Sequence, residues 1–180
     1  MIILIARKPK NPIVFLNYEQ YKDFDEDQIE AFIERVFCYY RETGFPYYPT
    51  DKVWRAEKFI QLKKTNFKYL LEEDKSIRQT MVGLALAWSY MPHAFNVPCG
   101  KMKTPLQAFE SDKVLRGVIR KKIRFQHNIT HSSIRKLLRS YTSHQGVSNF
   151  RPSAAACIYH HFGKDKTVWD MSSGYGGRLL

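Results

Sequence analysis

Between Asp25 and Tyr40, Ile29, Phe32, Ile33, Val36, Phe37 and Tyr40 fall at i, i+3, i+4, i+7, i+8 and i+11. Only a helix gathers that spacing on one face; a strand would throw part of the set to the opposite side. Asp25 and Gln28 stand where a capping box starts such a helix, and Gly44 and Pro46 where it stops. Similar signals recur along the chain. Thr50 or Asp51 opens a helix to about Leu62, and Asp74 opens one whose stripe is Ile77, Met81, Leu84, Ala85 and Trp88, stopped by Pro92. Thr104 and Pro105 start a short helical turn. Asp112 opens a helix to about Phe125 with Val114, Leu115, Val118 and Ile119 inward, a further helix runs from about Ser133 to Tyr141, and Pro152 heads a last one that Gly163 terminates.

Strand signals are few. IILIA and IVFL, divided by the Lys8–Pro12 turn, read as a strand pair, and TVWDM (Thr167–Met171) reads as a strand leading into SSGYGG. The expected fold class is mainly α (α+β). A helical domain with a small N-terminal strand pair spans residues 1–145, and the opening helix, strand and loop of an incomplete α/β domain span 146–180. The boundary falls in the polar run Ser143–Asn149.

A hydrophobic fraction of 44% with 14% aromatics is enough for a packed core and argues against wholesale disorder. No apolar run approaches the length of a membrane span, and the first residues lack a basic leader before their apolar run. Cys38, Cys99 and Cys157 are odd in number and far apart, which fits a reducing cytoplasm; no metal-ligand spacing is present.

Charge is the second constraint. Residues 1–50 carry six Lys/Arg and eight Asp/Glu, whereas residues 113–180 carry thirteen and two. No acidic side chain occurs between Asp112 and Asp165, a stretch with eleven Lys/Arg and five histidines. Such a block calls for a polyanionic partner. The two helices flanking QHNITH have the layout of a helix-turn-helix, with hydroxyl groups opening the second helix. Arg116, Arg120, Lys121, Lys122 and Arg124 on the first helix, and Ser132, Ser133, Arg135, Lys136 and Arg139 on the second, are the candidate contacts to nucleic acid, duplex DNA in particular. The plainer alternative is a basic surface that neutralises the acidic stretch Asp23–Glu34.

Asp170 ends the TVWDM segment, and Gly174, Gly176 and Gly177 follow, without the spacing of a dinucleotide-binding turn. Together with SNFRPSAAACIYHHF just upstream, these residues resemble motifs X and I of S-adenosylmethionine-dependent methyltransferases, especially those that methylate amino groups in DNA. The resemblance covers Ser148–Leu180. It implies a cofactor site, for S-adenosylmethionine, at Phe150, Arg151 and Pro152 of motif X and at Asp170, Ser172, Gly174 and Gly176 of motif I. The DNA enzymes carry Pro and Phe after the aspartate, where this chain has Met171 and Ser172, a departure that bears on substrate more than on cofactor.

The family's catalytic motif, a polar residue followed by two prolines and an aromatic, has no match; FPYY at Phe45–Tyr48 lacks the polar residue and the second proline. The expectation is therefore a DNA-targeting portion of a methyltransferase, with no catalytic residues of its own and weak or absent cofactor binding on this chain alone, the catalytic motif lying beyond Leu180. Two other readings remain open: a non-enzymatic DNA-binding protein of regulatory or mobile-element type, and an RNA-binding or RNA-modifying protein.

Overall fold

The computed structural model describes residues 15–141, 148–171 and 174. Of these, 59% are helical and 3% are bridged as strand, with no sheet, so the described chain is mainly α. The expected strand pair lies almost wholly outside the described residues, and residues 143–147 of the expected boundary, Ser172 and Gly176 lie outside them too.

The described residues hold eight α-helices: α1 (Tyr18–Tyr21), α2 (Glu26–Thr43), α3 (Lys52–Lys63), α4 (Leu84–Ser89), α5 (Pro105–Glu110), α6 (Asp112–Arg124), α7 (His131–Tyr141) and α8 (Pro152–Phe162). They sort into two compact units, each made from two stretches of chain: one from residues up to Pro46 and from Phe95 onward to α7, the other from Tyr47–Ala94 and the stretch containing α8.

In the first unit the caps stand where the sequence places them. Asp25 and Gln28 exchange side-chain and backbone hydrogen bonds at the start of α2, and Thr104 and Gln107 do the same at α5, with Pro105 inside the first turn. Each cap satisfies N–H groups that the helix leaves unpaired, worth about 1 kcal/mol. Helix α6 starts one residue earlier than expected at its cap: Ser111 is the flanking residue and Asp112 the first helical one. Phe32, Ile33, Val36 and Tyr40 of α2, Leu115, Val118 and Ile119 of α6, and Ile134 and Leu138 of α7 are all buried, with α6 packed on both α2 and α7. Helix α5 packs on both α6 and α7.

The turn from α6 to α7 contains no glycine; Gln126 takes the left-handed conformation instead, at φ 56°. The segment around α1 holds this turn in place. The Ile129 N–H donates to the Leu16 carbonyl (2.9 Å), the Tyr18 N–H to Asn128 Oδ1 (3.1 Å), and the Tyr21 hydroxyl to the His127 carbonyl (2.8 Å). Three backbone-directed bonds on one short loop fix how α7 leaves α6, and so how their side chains are presented.

In the second unit, α8 packs on the 3₁₀ turn Phe67–Leu70 and on α4. Pro152 opens α8 and Gly163 closes it, as expected. The long helix expected from Asp74 to Trp88 is not formed; only Leu84–Ser89 is helical. Asp74 caps a tight turn, accepting the Ser76 N–H at 2.8 Å, and Ile77 bridges Leu71 across that turn. Gly83, at φ 80°, then breaks any right-handed continuation. The strand expected at Thr167–Met171 is likewise absent, because no described segment lies alongside to complete its hydrogen bonds. An α/β arrangement is therefore not seen among the described residues.

Candidate functional site

Helices α2 and α6 run antiparallel, and three ion pairs mark their register: Arg41–Asp112, Glu34–Arg116 and Glu30–Arg120. The last two are two-toothed. Arg116 donates to both oxygens of Glu34 at 2.6 and 3.1 Å, and Arg120 to both oxygens of Glu30 at 3.3 and 2.7 Å. The Arg116 guanidinium also lies 3.5 Å over the Phe37 ring. The hydrogen bonds from Arg116 hold Glu34 below the usual carboxylate range, and Glu34 and Glu30 raise their arginines in return. These two expected phosphate contacts are thus engaged with the acidic helix, the role the plainer alternative assigned them.

Three more of the candidates serve the fold. Lys122 is buried on the side of α6 that meets α7, where burial, followed by the nearby Lys136 ammonium, pushes its amine down. Arg135 is buried too and donates to the Pro46 carbonyl at 2.6 Å. Ser133 exchanges hydrogen bonds with Thr130 at the start of α7, so its hydroxyl is a helix cap.

Lys121, Arg124, Ser132 and Lys136 remain exposed, and Arg139 is half-buried. Among the described residues no carboxylate forms an ion pair with Lys121, Arg124 or Lys136. Lys113, which the sequence reading passed over, is exposed on the same outward ridge of α6 as Lys121 and Arg124. Its signal was the helical spacing 113, 117, 121, 124 around Gly117. On α7, Lys136 lies near the buried Lys122, not beside that ridge. Each of the two helices thus presents exposed cations without a carboxylate ion pair among the described residues, and the turn at residues 125–130 pins how one helix leaves the other.

The second candidate site lies in the other unit. Phe150 and Asp170, from the two motifs of the resemblance, line one open hollow of about 510 Å³ with Ala155, Ile158, Tyr159, Val168, Trp169 and Met171. Tyr159 donates its hydroxyl to Asp170 Oδ2 at 3.3 Å. Trp169 and Met171 are 85% and 82% exposed. Gly174 is exposed at φ 60°. Arg151 and Pro152 do not join the hollow. Arg151 donates to the Thr80 carbonyl at 3.3 Å, and Pro152 Cβ packs where a side chain on Gly83 would otherwise lie. The residues present therefore fit S-adenosylmethionine in part: an aromatic and a carboxylate face a common space, while the other two motif X residues hold the turn at Thr80–Gly83.

Among the described residues no group of His, Cys, Asp and Glu has the arrangement of a metal site, and no helix is long and apolar enough to cross a membrane. Comparison with family models, curated proteins and solved structures yields no match for this chain.

Proposed function

We propose that this chain binds duplex DNA through the α6–α7 face, as the targeting portion of an S-adenosylmethionine-dependent, methyltransferase-like protein. The observation that carries the DNA reading is the set Lys121, Arg124 and Lys136: exposed, without carboxylate ion pairs among the described residues, and set on a braced helix pair. Phosphate groups bind such cations by releasing condensed counterions, so affinity falls steeply with salt. Ser132, exposed in the first turn of α7, is placed to add a hydroxyl contact. The test is a salt titration of binding to a short duplex. Replacing Lys121, Arg124 and Lys136 together by glutamine should flatten the slope of log affinity against log salt by roughly three units, if each meets one phosphate. An unchanged slope overturns the assignment.

The cofactor half of the proposal is supported by Phe150 and Asp170 facing one hollow. When bound, S-adenosylmethionine supplies the methyl group; this chain's share is to seat it against the Phe150 ring and the Asp170 carboxylate. Binding to this chain alone is expected to be weak, so it is read by shifts of the Phe150, Tyr159 and Asp170 resonances at millimolar ligand. Asp170→Asn should abolish those shifts.

The second reading, a DNA-binding protein without enzymatic function, is favoured by the local use of Arg151, Pro152 and Tyr159 to tie the second unit together. Absence of any shift around the hollow, with duplex binding intact, selects it.

A further inference from the structure

We propose that Glu30 and Glu34 are built-in competitors of the polyanion, holding Arg120 and Arg116 in carboxylate pairs that a phosphate backbone must displace. This inference rests on the DNA reading above and concerns the regulation of the same face.

Four observations carry it. First, Arg116, Arg120 and Arg124 follow one another at i, i+4 and i+8, so they form a single ridge of α6. Second, Glu30 and Glu34 are one turn apart on α2 and meet the first two arginines in register, each through both oxygens. A guanidinium offers the same fork to a phosphate as to a carboxylate, so the acidic helix occupies the donors a nucleic acid would use. Third, the pairing stops short of Arg124. The next turn of α2 carries Glu26 and Asp27, yet neither forms an ion pair with it. The ridge is thus masked at two positions and open at the third. Fourth, the pairs sit at the surface: the side chains of Arg120 and Glu30 are 54% and 55% exposed, those of Arg116 and Glu34 33% and 50%. Exposed pairs of this kind contribute modestly to stability, so they can open at small cost to the fold. Arg120, with no ring beneath it among the described residues, opens more readily than Arg116, which also stacks on Phe37.

In this arrangement wild-type protein binds DNA with the open cations only, and α2 sets how much further contact the duplex can recruit. The test compares duplex binding across a salt series for the wild type, Glu30→Gln/Glu34→Gln, and Glu26→Gln/Asp27→Asn, which removes the same charge from the same helix without freeing an arginine. The first pair should steepen the slope by roughly two units, corresponding to about tenfold additional loss of affinity between 50 and 200 mM salt. Adding Arg116→Gln/Arg120→Gln to it should restore the wild-type slope. Should the double variant fold poorly, Glu30→Gln alone, at the more exposed of the two pairs, should steepen the slope by about one unit. Equal effects from both charge-removing variants, or no effect of Glu30→Gln on a wild type that binds DNA, overturn the competitor role and leave the DNA reading standing. Failure of the wild type to bind any duplex overturns the DNA reading itself.

Discussion

Three consecutive side chains on α6 have three different fates. Arg120 pairs with Glu30, Lys121 faces outward, and Lys122 is buried toward α7. A helix turns about 100° per residue, so adjacent cations cannot share a role, and only the outward one is available to a ligand without rearrangement. Lys122 is the costly one. Its amine is pushed down by burial, so its charged form is less favourable in the folded than in the unfolded chain. Lys122→Met should raise the thermal midpoint, and the wild type itself should gain stability as pH rises toward the ordinary lysine value of 10.5. A lower midpoint for the variant would contradict this. Glu34 has the opposite sign. Its carboxyl is held below the ordinary 4.5 by Arg116, so the contribution of the pair is full above that value and lost as pH falls through the lowered one. The difference in midpoint between wild type and Glu34→Gln should hold steady from pH 7 to about 5 and shrink on further acidification. Gly83 is a backbone case. It lies at φ 80°, and a Cβ there would sit 2.8 Å from Pro152 Cβ and 3.0 Å from a Leu62 methyl. Gly83→Ala should cost about 1–3 kcal/mol, read as a lower denaturant midpoint.

At the scale of elements, α2 and α6 are joined by an apolar seam with an ion-pair ladder along its flank. Val118 and Ile119 are fully buried in that seam. Ile119→Ala should cost about 2–5 kcal/mol through lost transfer and the cavity left behind, far more than any rung of the ladder. How much of this was legible in sequence follows from which forces are local. The caps of α2 and α5, the proline and glycine that bound α8, and the inward face of α6 are properties of a few neighbouring residues, and they are read correctly. The Asp74 helix is misread because its stripe is compatible with helical spacing while Gly83 and the Leu71–Ile77 bridge, a pairing of more distant residues, forbid it. The segment Thr167–Met171 has strand-like residues, but a strand exists only with a partner, which no single segment encodes. The basic block was legible as charge. Its division into paired, buried and outward cations was not, because the partners lie more than eighty positions away on α2.

Across the whole chain, a formal net charge of +12 guarantees some attraction to any polyanion at low salt, so retention by DNA is weak evidence by itself. What distinguishes the account is location. The acidic residues gathered before Tyr40 offset part of the basic block, and on α6 and α7 Lys113, Lys121, Arg124 and Lys136 stay exposed with no carboxylate partner among the described residues. The hollow in the other unit is a different kind of surface, aromatic with one carboxylate, where a nucleic-acid backbone has little to gain. The most direct measurement is therefore an amide-resolved NMR titration of the chain with a short duplex at moderate salt. The largest shifts should map to Lys121, Arg124, Ser132 and Lys136, and they should fade together as salt rises. Shifts centred elsewhere, or none at concentrations where the duplex remains in excess, would contradict the assignment of the α6–α7 face as the DNA-binding surface.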